Sequence, residues 1–301
     1  MEILQSGEFW AVTAGVLWAV AVILFKLAGE EIDPLPLNLF KGVVALAVFL
    51  PLLALSTASG GWPSWDAGTW TRLVASGIVG IAAADTFFFM ALNRLGAGLN
   101  AMVSCLYFPV MAVMAAIYLG DSISALTVAG AGLVILGIII GSLGSDAGPR
   151  TRHDLVVGLL IGLAAVLTLS GSVIVINGIV KAESVLWTTS VRLVAGLVVI
   201  TPIVLLGSHR DAALGLLRPS KLWRHALPGA ILGGALAMLA WIAGFSRTSV
   251  AIAAILNQLS TIYVFVLAWL ILKEPMTMRR AIAVAAAFAG AAIVILSTYS
   301  G

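Results

Sequence analysis

Between Phe9 and Thr298 the chain is a succession of apolar stretches long enough to cross a bilayer, and its two halves carry matching landmarks at a fixed offset. A span needs about 20 mostly apolar residues. Ten are expected, at about 9–28, 37–55, 69–92, 97–119, 123–143, 155–178, 185–206, 223–245, 249–272 and 277–298. An offset of 153 sets Trp70 on Trp223, Gly80 on Gly233, Arg94 on Arg247, Leu106 on Leu259, and Leu119-Gly120-Asp121 on Leu272-Lys273-Glu274. Upstream, an offset of about 151 sets Lys41 on Arg192 and Lys26 on Asn177. Shared apolar composition would not align charged turns, so the halves read as a repeat. Five spans per half is an odd number, and the second half must then enter the membrane from the opposite side. The expected fold is an all-α integral membrane protein with ten transmembrane helices in two inverted five-helix repeats, residues 8–143 and 155–298, joined by a linker at 144–154.

Composition excludes a soluble domain: 61% of residues are hydrophobic and 10% charged, where a soluble protein is about a quarter charged. A net charge of +3 would suggest nucleic acid in a soluble chain. Here most basic residues lie in loops and set membrane orientation, so the expected partner is the lipid bilayer and no nucleic acid. Cys105 is the single cysteine, which rules out an intrachain disulfide and leaves it a packing role. Met1 to Glu8 has two acids and no basic residue, so the first span does not read as a removed signal peptide. Apart from Ser56–Gly68 and Gly207–Leu222 the loops are short, which confines function to the bilayer.

Residues that break the apolar rule are therefore the candidate site. Asp85 is the only carboxylate expected inside a span, where a charge costs roughly 2.5–3.5 kcal/mol by insertion scales. It reads as a site for a substrate amine, a proton or a cation, or as a polar lock between helices. Arg192 and its mate Lys41 lie one to two turns inside their spans. Snorkelling to the interface is the expected reading, with a shared carboxylate or phosphate site as the other. On the fourth helix Asn100, Ser104 and Tyr107 share a face. The equivalent stripe on the ninth is Ala253, Asn257 and Ser260, beside Gln258 and Tyr263. Polar stripes in both halves suggest a lined cavity. Pro109 removes a backbone donor just beyond Tyr107 and is the expected hinge.

Glycines at 130, 137 and 141 and at 229, 233 and 234 read as close-packing surfaces. Trp10, Trp62, Trp65, Trp70, Trp187 and Trp223 fall near span ends, as an interfacial belt requires. Trp18, Trp241 and Trp269 lie deeper, Trp241 pairing by repeat with Phe88, and are candidates for a pocket wall. Asp121 and Glu274 each precede a new helix and read as N-terminal caps. His153, His209 and His225 have no metal-ligand spacing, and no Gly-x-Ser-x-Gly element occurs, so neither a metal nor a cofactor is expected and an enzyme is not favoured.

Ala91-Leu92-Asn93-Arg94-Leu95-Gly96-Ala97-Gly98, Ser104-Cys105-Leu106-Tyr107-Phe108-Pro109-Val110 and Tyr118-Leu119-Gly120-Asp121 together resemble the EamA-type repeat of the drug/metabolite transporter superfamily. Trp18 and Asp33-Pro34 followed by Lys41 also fit, and in the second half so do Arg192 and Leu272-Lys273-Glu274-Pro275, although Ile262 stands where Pro109 would be. The resemblance implies a central cavity lined by the first, third and fourth helices with the sixth, eighth and ninth, working by alternating access. Amino acids, related metabolites, drugs and nucleotide sugars are the substrates it implies, and YddG-like aromatic amino acid exporters are the nearest functional picture. The expected function is thus export of a small organic metabolite, with protons as one candidate coupling ion, across a cell membrane, the bacterial inner membrane first. A non-transporting membrane enzyme or assembly subunit is the alternative from another class, and exchange of phosphorylated metabolites or drugs the alternative among transporters.

Orientation sets charge against resemblance. Leaving out Arg192, three basic residues (Arg72, Lys181, Arg247) fall on the side of the termini and twelve on the other. The positive-inside rule places both termini outside the cytoplasm. The resemblance implies termini inside, and the charge count is preferred.

Overall fold

The computed structural model describes residues 6–120, 123–142, 151–216, 218–248 and 256–299, and among these no strand occurs. The first helix is Gly7–Ala28, the second Pro34–Gly60, the fifth Ala125–Ser142, the sixth Arg152–Ile174, the seventh Val185–Leu206 and the tenth Met278–Tyr299. The third and fourth form one helical run, Ala67–Ser104, divided at Gly96 and resumed over Tyr107–Leu119. Gly96 has φ 75° and ψ 171°, a conformation that a side chain disfavours. The eighth helix runs through Trp223–Gly229, Ala230–Leu236 and Ala237–Arg247, and the ninth is Leu256–Leu272. Eight of the helices are long and apolar enough to cross a membrane; Tyr107–Tyr118 and Leu256–Leu272 are shorter. The expected linker falls largely outside the described residues, and the sixth helix begins at Arg152.

Local chemistry fixes several starts. Ser6 accepts from the Phe9 N–H, Asp66 from that of Thr69 and Thr151 from that of Asp154, each satisfying a donor that a first turn leaves free. The same Thr69 contacts, side chain first, hold the Asp66 carboxyl below its ordinary range. Pro34 follows the N-cap Asp33, where its missing donor costs nothing.

Packing follows the repeat. A Cβ on Gly130 would lie 2.7 Å from the Gly290 carbonyl oxygen, and one on Gly137 would lie 2.7 Å from that of Ala283. Gly290 is Gly137 plus 153, and Ala283 is Gly130 plus 153. The fifth and tenth helices therefore meet antiparallel through reciprocal small residues. Gly229 and Gly233 likewise seat Phe25 of the first helix. At the centre Gln258 donates to Cys105 Sγ at 3.0 Å, its own mate by the same offset, and to Thr261 Oγ1 at 3.0 Å. Large apolar side chains such as Leu55, Ile117, Val198 and Leu206 are exposed, as lipid-facing positions require.

Two features differ from the sequence-based expectation. The third and eighth helices each contain a π-helical segment, Ile78–Ala84 and Ala230–Leu236, at nearly equivalent positions. The fourth helix breaks at Cys105–Leu106, and the ninth has a turn at the equivalent Leu259 with no proline after it. The break lies one turn before Pro109, where the missing proline donor would have bonded the Cys105 carbonyl.

Candidate substrate-binding site

The polar stripe of the fourth helix faces the first, third and ninth helices. Trp18, Phe88, Asn100, Ser104 and Ser260 line one small cavity with Ala101, Thr261 and Val264. Its free volume is about 30 Å³, room for about one water. Trp18 and Phe88 form the aromatic wall, their centroids 5.7 Å apart. The Asn100 Nδ2 donor is buried beside it without a hydrogen-bond partner in the protein, a donor free for an acceptor that reaches the site. The Ser104 hydroxyl is turned onto the Asn100 carbonyl at 3.0 Å. Both halves contribute, since Ser260 belongs to the ninth helix.

One helical turn from Phe88 stands a second cluster. Asp85 begins the α-helix that resumes after the π segment, and its carboxylate is ion-paired with Lys41. The Lys41 ammonium also lies 5.5 Å from the Phe89 centroid, a cation–π contact. The expected snorkelling of Lys41 is corrected: the side chain turns inward because an acid lies within reach, and the pair is only 11% and 28% exposed. Arg192 is corrected in the same way. Its Nη2 donates to Ser172 Oγ at 3.4 Å and its Nε is buried.

Asn38, which the sequence reading missed, completes this cluster. Its amide donates to the Ile81 carbonyl at 2.8 Å and to Thr86 Oγ1 at 3.0 Å. It thereby satisfies backbone that a π segment leaves loose. The available signal was its place three residues before Lys41, on the same face of the second helix.

Other candidates go elsewhere. Trp241 and Trp269 are 38% and 46% exposed, and Tyr263 packs against the apolar core beside the first helix. Asn257 is half-buried, with its carbonyl against Gly15. None of the four lines the cavity. Asp121 and Ala253 lie outside the described residues. Glu274 does cap a helix, but not the one that follows it: it accepts from the Ala97 N–H at 2.8 Å and the Gly98 N–H at 3.3 Å. The Gly96 break frees those donors.

The model of the EamA-like transporter family matches residues 5–143 and again 156–296. The chain belongs to that family. Two matches in one chain make this EamA-like transporter a tandem of the family's repeat, with the cavity between the two copies. Among curated protein sequences none matches it. A solved structure described only as "Crystal structure of protein" is similar over 98% of each chain, with a TM-score of 0.66 and 20% sequence identity. That likeness shows the fold of this EamA-like transporter.

Proposed function

We propose that this chain is a secondary transporter exporting a small organic metabolite, an amino acid or close relative, by alternating access about a pseudo-twofold axis in the membrane plane. The carrying observation is the cavity built by both halves, with an aromatic wall and the unpartnered Asn100 donor. A volume of about 30 Å³ excludes a metabolite, so entry requires the surrounding helices to part. The antiparallel, reciprocal contacts of the fifth and tenth helices support ten spans in two inverted repeats. The apolar wall formed by Trp18 and Phe88 supports a substrate with an aromatic or apolar body. A cell membrane, the bacterial inner membrane first, is the proposed location.

Asp85 already has a counter-charge in Lys41 and needs no proton in order to sit in the bundle. Substrate-driven exchange or facilitated diffusion is therefore favoured over proton antiport. Counterflow of pooled labelled amino acids and amines into liposomes tests the function. Accumulation against a preloaded pool, lost in Asn100→Leu, is the expected result. Absence of counterflow with every pool would return the chain to a non-transporting role. Dependence on an imposed pH gradient that Asp85→Asn removes would overturn the coupling reading.

A further inference from the structure

The charges inside the bundle do not balance. Lys41 pairs with Asp85, whereas no carboxylate among the described residues lies within ion-pair distance of Arg192: the lysine and arginine pairs there are Lys41–Asp85 and Arg280–Glu274. Its one hydrogen bond runs to the neutral Ser172 hydroxyl, and Nε is buried without a partner. A guanidinium remains charged under all ordinary conditions, so leaving it thus within a membrane bundle is costly.

The fold nevertheless builds room for it. The seventh helix approaches the third at Gly77, where a Cβ would collide with the Arg192 backbone, and at Gly80, where a Cβ would lie 3.0 Å from Nη2. The repeat shows what is missing. Offset by 153 from Asp85, the second half has Met238, so the acid that serves Lys41 has no counterpart for Arg192.

We infer that the missing counter-charge is the substrate's, and that Arg192 anchors the carboxylate of a small organic anion or zwitterion. This rests on the transporter reading and names its substrate class. Gly80, against which the Arg192 guanidinium packs, lies eight residues before the cavity residue Phe88 on the third helix. A carboxylate at Arg192 would then leave the rest of the molecule to lie along the third helix toward the wall formed by Trp18 and Phe88. A planar guanidinium suits such a group because it can bind both oxygens at once.

The test is ligand-dependent thermal stability and tryptophan fluorescence of the purified full chain in micelles. The probes are 3-phenylpropionate, its neutral amide 3-phenylpropanamide, and phenethylamine. The expected result is saturable binding of the carboxylate alone, weakened about tenfold or more in Arg192→Gln and partly kept in Arg192→Lys. Asp85→Asn, which removes a competing carboxylate five residues from Gly80 on the third helix, is expected to tighten it. If Arg192→Gln does not fold, Arg192→Lys and the comparison of carboxylate with amide in the unaltered protein still decide. Equal binding of amide and carboxylate, no binding of the carboxylate, or indifference to Arg192→Gln would each overturn the anchor. Counterflow that persists in any of those cases leaves the transporter reading standing. Arg192-dependent carboxylate binding without counterflow would instead remove transport and keep the anchor.

Discussion

Lys41 shows what a single residue's depth fails to reveal. One turn inside an apolar span, its stem reaches either the interface or a neighbouring helix, and the sequence reading took the interface. The deciding partner, Asp85, lies 44 residues away on a face that no local pattern links to it. The pair has a consequence for stability. Lys41→Met strands a carboxylate that is 28% exposed; breaking a buried pair costs about 3–5 kcal/mol, and solvent contact reduces this to roughly 1–3 kcal/mol here. The double variant Lys41→Met/Asp85→Leu, with no charge left to bury, should regain most of that loss in thermal unfolding. A double variant as unstable as the single one would show that the pair is not what Lys41 provides. At Gly80 a Cβ would lie 2.5 Å from Ser172 Oγ, so Gly80→Ala should cost about 1–3 kcal/mol as overpacking. The same melting experiment measures it.

Among elements, the fourth and ninth helices separate cause from coincidence. The sequence assigned the interruption to Pro109, yet the ninth helix turns at Leu259 where its mate position to Pro109 is Ile262. The break is common to both halves and adjoins the hydrogen-bonded Cys105, Gln258 and Thr261, so the proline accommodates it rather than being required for it. Pro109→Ala should therefore keep the break, seen as fast amide exchange near Leu106, and lower counterflow less than tenfold. A continuous, protected helix would restore the proline as its cause. The two helices also end alike, Gly120 at φ 78° and its mate Lys273 at φ 55°. A non-glycine residue in that left-handed conformation costs roughly 1–2 kcal/mol, so Lys273→Gly should raise the unfolding midpoint, and a lowered one would mean that the lysine side chain supports the turn. The repeat, the helices and the small-residue faces were legible because each leaves periodic residues in the chain. The π segments were not: an inserted residue disturbs hydrogen bonding without changing the apolar pattern, and only Asn38, bonded to the Ile81 carbonyl, betrays one.

The whole molecule is tied across its two halves at both ends: on the side of the termini, Thr248 donates to the Glu8 carboxylate. At the end rich in basic loops Glu274, carried by the second half, caps the fourth helix of the first half at Ala97 and Gly98, while Arg280 stands 4.0 Å from the same carboxylate. Reading Glu274 as a cap was sound chemistry applied to the wrong helix, since an acid at a turn serves whichever free N–H groups the fold brings near it. Which compartment this latched end faces follows from the charge count. With Lys41 inside the bundle, the excess of basic residues on that side becomes eleven to three, and the positive-inside rule still places it in the cytoplasm and both termini outside. Cysteine labelling checks this. The background should be Cys105→Ser rather than alanine, because Gln258 and Thr261 hydrogen-bond at that position. A cysteine at the exposed Ser208, in the loop between the seventh and eighth helices, should resist an impermeant maleimide in intact cells and react once they are permeabilised. Rapid labelling of intact cells would turn the molecule over.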